Sequence, residues 1–122
     1  MSRIVSIRTE LRDKTILQEC LEHLDYQVLY QEEGIHIAGV RTPVQFLVHA
    51  PYGRLGFRLT QTGNYEIVAD DMVLKRQKDS IDRLMQQYAY RKILKDARAA
   101  GYNLVQEEVG EDNTIKLVVR KW

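Results

Sequence analysis

From Asp79-Ser80 to Gly101 apolar residues recur at helical spacing, but on two different faces. Ile81, Leu84, Met85 and Tyr88 stand at i, i+3, i+4 and i+7, and Tyr90, Ile93, Leu94 and Ala97 repeat that spacing nine residues later. At about 100° per residue, nine residues turn through roughly 900°, so the second stripe points about 180° away from the first. One layer of strands can shelter only one of these faces. The helix must break or kink around Gln86 to Tyr90, or the second stripe must be covered by the C-terminal strands or by another chain. Internal burial is the leading expectation. Contact with a partner is the alternative, with Tyr90, Ile93, Leu94 and Ala97 as its apolar candidates and Arg91, Lys95 and Arg98 beside them.

The rest of the chain reads as strands around one further helix. Val5, Ile7, Thr9 and Leu11 alternate with Ser6, Arg8, Glu10 and Arg12, the period of a half-buried strand. Asp13 suits an N-cap, and Leu17, Cys20, Leu21 and Leu24 give a helix over 14–25 its apolar stripe. Tyr26 to Tyr30 and Ile35 to Val40 predict two strands around a turn at Glu32-Glu33-Gly34. A hairpin follows, with Val44 to Ala50 and Leu55 to Leu59 joined by Pro51-Tyr52-Gly53. Thr62-Gly63-Asn64 turns into a strand from Tyr65 to Ala69. After the long helix, Gly101 provides the left-handed stop, and Tyr102 to Val109 and Thr114 to Arg120 close the chain as two strands.

This order predicts an α+β fold: a largely antiparallel sheet with two helices on one face. It also allows two β-α-β-β units joined by the central hairpin, because Leu24-Asp25-Tyr26-Gln27-Val28-Leu29 resembles Ala100-Gly101-Tyr102-Asn103-Leu104-Val105. Two similar helix-to-strand turns would produce the same likeness without duplication. With 122 residues the chain is expected to form a single domain, 1–122. Its apolar runs are far shorter than the roughly 20 residues that span a bilayer, so no membrane insertion is expected. The opening Met1-Ser2-Arg3-Ile4-Val5 has no export pattern, and a lone Cys20 fits a reducing compartment.

Charge is sorted although its sum is only +1. Thr15 to Val40 holds five acidic residues and no Lys or Arg, whereas Lys75 to Arg98 holds eight basic residues against Asp79, Asp82 and Asp96. Adjacent helices of opposite charge would pair at their rims; a basic surface for an anionic partner is the other reading. If the apolar sheet face meets the helices, then Arg8, Arg12, Arg58, Lys116, Arg120 and Trp122 look outward, with His49 on a neighbouring strand. Arg8, Arg58, Lys116, Arg120 and Trp122 are therefore the candidates for binding single-stranded RNA, although an aromatic-rich strand signature is missing.

Catalytic signatures are sparse. The seven glycines are scattered and form no phosphate loop, and His23, His36 and His49 with one cysteine make no zinc set, so no cofactor and no metal is expected. Asp70-Asp71 at a strand end suits capping; as acid/base groups with His49 they would be the site of an enzyme. Cys20 lies on an apolar stripe and reads as a core residue rather than a nucleophile.

Gln87-Tyr88-Ala89-Tyr90-Arg91, Gly101-Tyr102, Val105 to Val109 and the closing Ile115-Lys116-Leu117-Val118-Val119-Arg120-Lys121-Trp122 resemble a conserved family of unknown function. That family, of the hypothetical chloroplast reading frame type, is encoded in cyanobacteria and algal plastid genomes, with other bacterial relatives. Ile4 to Glu10 and Tyr65 to Asp70 resemble it too, so the likeness covers nearly the whole chain. Asp71-Met72-Val73-Leu74-Lys75 departs from it where many relatives carry an aromatic stretch with a Trp. The resemblance implies the cytoplasm of a cyanobacterium or a plastid stroma, and carries no activity or catalytic residues.

Together these readings predict a non-enzymatic accessory or interaction protein, such as an assembly or regulatory factor. It would bind a macromolecular partner, or a second copy of itself, through helix 79–101 and the C-terminal strands. An RNA-binding module on the open sheet face and an enzyme using Asp70, Asp71 and His49 are the alternatives.

Overall fold

The structure, a computed structural model, describes residues 3–111 and 115–121; Trp122 lies outside the described residues. Seven strands and three helices are described: β1 (Ile4–Arg8), α1 (Lys14–His23), β2 (Gln27–Ile35), β3 (Val44–Ala50), β4 (Gly53–Leu59), β5 (Tyr65–Asp70), α2 (Asp71–Arg76), α3 (Lys78–Ala99), β6 (Tyr102–Val109) and β7 (Ile115–Lys121). The α+β expectation is met. Five strands form an antiparallel sheet in the order β1-β5-β4-β3-β2, with β1 and β2 at its edges.

Local chemistry accounts for most element ends. The Asp13 carboxylate accepts from the Ile16 N–H at 3.1 Å and starts α1, as its position suggested. Asp70 does the same for Met72 at 2.8 Å, starting a short α2 that the spacing of apolar residues did not announce. Gly53, in the β3–β4 turn, has φ +140, a region that side chains rarely enter.

One face of the sheet carries Phe46, Val48, Leu55, Phe57, Tyr65, Ile67 and Ala69 against Leu17, Cys20 and Leu21 of α1 and Leu84 and Tyr88 of α3. This is the main core. Phe46 lies 4.8 Å from the Tyr30 ring and 5.8 Å from the Tyr65 ring, aromatic contacts worth about 0.5–1.5 kcal/mol each beyond area burial.

Three expectations need correcting. Ile35 to Val40 is not a separate strand, because β2 continues to Ile35 through a register irregularity between Tyr30 and Ile35. The chain then crosses the sheet's far face, where Ile35, Ile37 and Val40 cover Val44, Leu47 and Val68. That face is therefore partly sealed rather than open. The C-terminal strands also do not join the main sheet; among the described residues β6 and β7 pair with each other alone. Gly101, at φ +87, reverses the chain at the end of α3, so β6 runs back along that helix instead of reaching a sheet edge. Lastly, the first proposed unit has one strand after its helix and the second has two, so the halves do not repeat one another.

The far-face cluster depends on a glycine with ordinary backbone geometry. A Cβ on Gly56 would lie 2.8 Å from Val44 Cγ1, and Val44 is fully buried. Gly56→Ala is expected to cost about 1–3 kcal/mol in chemical denaturation through overpacking. An unchanged unfolding midpoint would show that Val44 does not seat against this strand.

Candidate functional site

The long helix is continuous. α3 runs unbroken for 22 residues, so the two apolar stripes are handled by unequal burial and not by a kink. Leu84 and Tyr88 of the first stripe are buried and Ile81 and Met85 half-buried. Beyond Tyr88 no α3 residue is fully buried: Tyr90, Leu94 and Ala97 are half-buried, and Ile93 is 52% exposed. The expectation that the second stripe is sheltered internally is corrected to partial cover.

That stripe splits between two surfaces. Tyr90 and Leu94, with Arg91, Lys95 and Arg98, line a cleft of about 520 Å³ against Thr15, Ile16 and Glu19 of α1. Ile93 points away from it, into a groove of about 590 Å³ between α3 and the β1 edge, shared with Ile7, Ile67, Ile81, Met85 and Ala89. Five of the seven helix residues singled out by sequence thus meet in one place. Ala97 lines neither depression.

The α1–α3 cleft is held by charge. Arg91 Nη1 donates to Glu19 Oε2 at 3.0 Å, and Lys95 Nζ donates to Asp13 Oδ2, so the acidic and basic helices do pair across their shared rim. Tyr90 donates its hydroxyl to Glu107 Oε2 on β6 at 2.9 Å, which holds the phenol proton above its ordinary pKa. Among the described residues lining the cleft, Arg91, Lys95 and Arg98 stand against Glu19, with Asp13 bonded to Lys95 and Glu107 to Tyr90 at its rim.

The other candidate sets do not converge in this way. Arg58 donates to Glu66 at 2.7 Å, to Ser6 at 3.2 Å and to Thr42, so its guanidinium is engaged within the sheet. Arg8 is exposed on β1, whereas Lys116 and Arg120 are exposed on β7, in the separate two-stranded sheet. Asp70 caps α2, Asp71 Oδ1 accepts from the Arg3 N–H at 3.3 Å, and His49 stands on β3, with β4 between it and β5. Burial raises the Cys20 thiol to a pKa of about 11, so it stays protonated at neutral pH. Sequence reasoning missed the β1 groove. Its lining residues come from β1, β5 and α3, far apart in the chain, so no local pattern announced it.

The family model for "Protein of unknown function (DUF1257)" matches residues 20–118. The chain is 30% identical over 129 residues to "Uncharacterized protein ycf35" of Guillardia theta, 28% over 130 residues to that of Pyropia yezoensis, and 25% over 127 residues to that of Cyanophora paradoxa. Each alignment covers 100% of this chain and 98% of the relative. No solved structure matches significantly. Among the described residues, no helix is long and apolar enough to cross a membrane.

Asp13 gives the cleft a pH dependence. Burial raises its pKa, but the Lys95 hydrogen bond, the Ile16 N–H and the charges of Lys95 and Lys92 outweigh burial, and the net value is lowered. A lowered folded pKa contributes stability above the unfolded value, near 4 for an aspartate, and that stability is lost as pH falls through the folded value. Denaturation of the wild type and Asp13→Asn at several pH values should give a difference that is largest near neutrality and shrinks below about pH 4. A pH-independent difference would contradict the ion pair's role.

Proposed function

The chain belongs to the DUF1257 family of proteins of unknown function, and from that premise we propose that it is a non-enzymatic interaction protein that takes an acidic, apolar segment of a protein partner into the α1–α3 cleft. The supporting observation is the cleft's lining: half-buried Tyr90 and Leu94 beside Arg91 and Lys95, which are paired with Glu19 and Asp13, and beside Arg98, which adds a further cation. Leucine-like anchors would remove Leu94 and the Tyr90 ring from water. Carboxylates on the same segment would meet the cationic rim, steering association and fixing its register. The exposed ribbon edge of β6–β7 beside Tyr90 would extend this surface.

An assembly or regulatory role fits a chain in which Asp13 and Asp70 cap helices and Arg91, Lys95 and Arg58 are paired. Its plastid relatives support a plastid stroma or a cyanobacterial cytoplasm as the compartment, one in which Cys20 stays reduced. The RNA-binding reading draws less support, because its described cations are divided between two sheets.

Amide chemical shifts followed during titration with a synthetic peptide of alternating Glu and Leu test this reading. Shifts should concentrate at Tyr90, Leu94 and Arg98, weaken with added salt, and need roughly tenfold more peptide in Arg98→Glu, the loss expected of one rim charge. Equal binding by Arg98→Glu, or shifts confined to Arg8, Arg58, Lys116 and Arg120 with single-stranded RNA, would overturn it.

A further inference from the structure

The β1 edge carries a second, independent surface. β1 ends the main sheet, and among the described residues no strand lies beyond it. The Asp71 N–H donates to the Arg3 carbonyl at 2.9 Å, and the register pairs Val5 with Ala69 and Ile7 with Ile67. Antiparallel strands alternate the direction of their main-chain groups, so residues 3, 5 and 7 bond inward to β5, while Ile4, Ser6 and Arg8 direct their N–H and carbonyl groups to the open side. Edges are usually blunted by bulges or charge. The opposite edge has both, with a register irregularity and Glu32 and Glu33 in β2. On β1, Ile4 is 44% and Ile7 43% exposed, and the groove that Ile7 lines also includes the exposed Ile93.

We propose that the occupant of this edge is a second copy of the chain, its β1 antiparallel to the first about a two-fold axis at Ser6. The sequence Ile4-Val5-Ser6-Ile7-Arg8 is complementary to itself in that register. Ser6 meets Ser6 of the partner copy, and each Val5 sits opposite an Ile7 on the face continuous with the groove. Each exposed Ile4 lies opposite an Arg8, whose methylene stem can cover it while its guanidinium stays in water. The two Arg8 side chains fall four residues apart along the strand, so this register avoids the like-charge contact that an axis at Ile7 would create. About six main-chain hydrogen bonds would join the two sheets into one of ten strands. The inward side chains would extend the layer beneath α3 toward Met85 and Ile93. The contact is isologous, closes at two copies and leaves no β1 edge for further growth. It uses none of the residues of the α1–α3 cleft.

Ser6→Pro provides the test, because it removes an N–H that bonds nothing within the subunit, and proline is tolerated on the outer side of an edge strand. Sedimentation equilibrium should give the wild type twice the monomer mass at tens of micromolar or above. Ser6→Pro should be monomeric with an unchanged far-ultraviolet circular dichroism spectrum. Ile7→Lys serves as the second variant if proline impairs folding, and it should also shift the chain to monomer. A wild type that stays monomeric, or a folded Ser6→Pro or Ile7→Lys that remains dimeric, would overturn the proposal. Peptide binding at the α1–α3 cleft should persist in either variant, so the two readings fail separately.

Discussion

The hydroxyl of Tyr88 ties the long helix to the rest of the molecule. It accepts from the Arg12 N–H at 2.9 Å and the Asp13 N–H at 2.8 Å, the two main-chain donors that lead from β1 into α1. Its ring belongs to the main core. A single side chain thus fixes both the rotation of α3 about its axis and its position along α1. Asp13 then caps α1 with one carboxylate oxygen and meets Lys95 with the other. Beyond Tyr88 the helix continues, but no residue of it is fully buried. The two depressions that flank its second half follow from that anchor.

Charge sorting along the chain has a structural use and a remainder. Arg91 and Lys95 reach acidic partners across the α1 boundary, and Lys78 and Lys92 pair with Asp82 and Asp96 one turn along α3. These pairs are largely solvated and contribute little individually to stability. Their larger effect is on placement, since they orient side chains around the apolar floor of Tyr90 and Leu94. Arg76 approaches the Tyr52 ring at 5.8 Å, a second use of cationic charge that does not involve a carboxylate.

Much of the fold was legible because it rests on local periodicity and capping chemistry. Asp13, the α1 stripe, the hairpin about Pro51-Tyr52-Gly53 and the α3 stop at Gly101 all act within a few residues of themselves. What escaped sequence reading depends on long-range choices. Ile35 to Val40 was read as a strand, but beyond Ile35 its apolar side chains cover the far face from an irregular segment instead of entering the ladder. Likewise β6 and β7 have ordinary strand patterns that do not encode which sheet they join. α2 was hidden because none of its residues is fully buried, so it carries no core stripe. Five of the seven helix residues singled out by sequence share one cleft because the cleft lies along the same helical face, whereas the β1 groove brings together β1, β5 and α3 and has no sequence-local signature.

The central claim is that α3 is a core helix up to Tyr88 and a surface helix after it. Unfolding free energies of Leu84→Ala and Ile93→Ala, measured where the protein is monomeric, compare the two halves most directly. Leu84 is 1% exposed, and its truncation should cost about 2–5 kcal/mol. Ile93→Ala should cost less than about 1 kcal/mol. Comparable losses at both positions in the monomer would contradict the division of the helix on which the account rests.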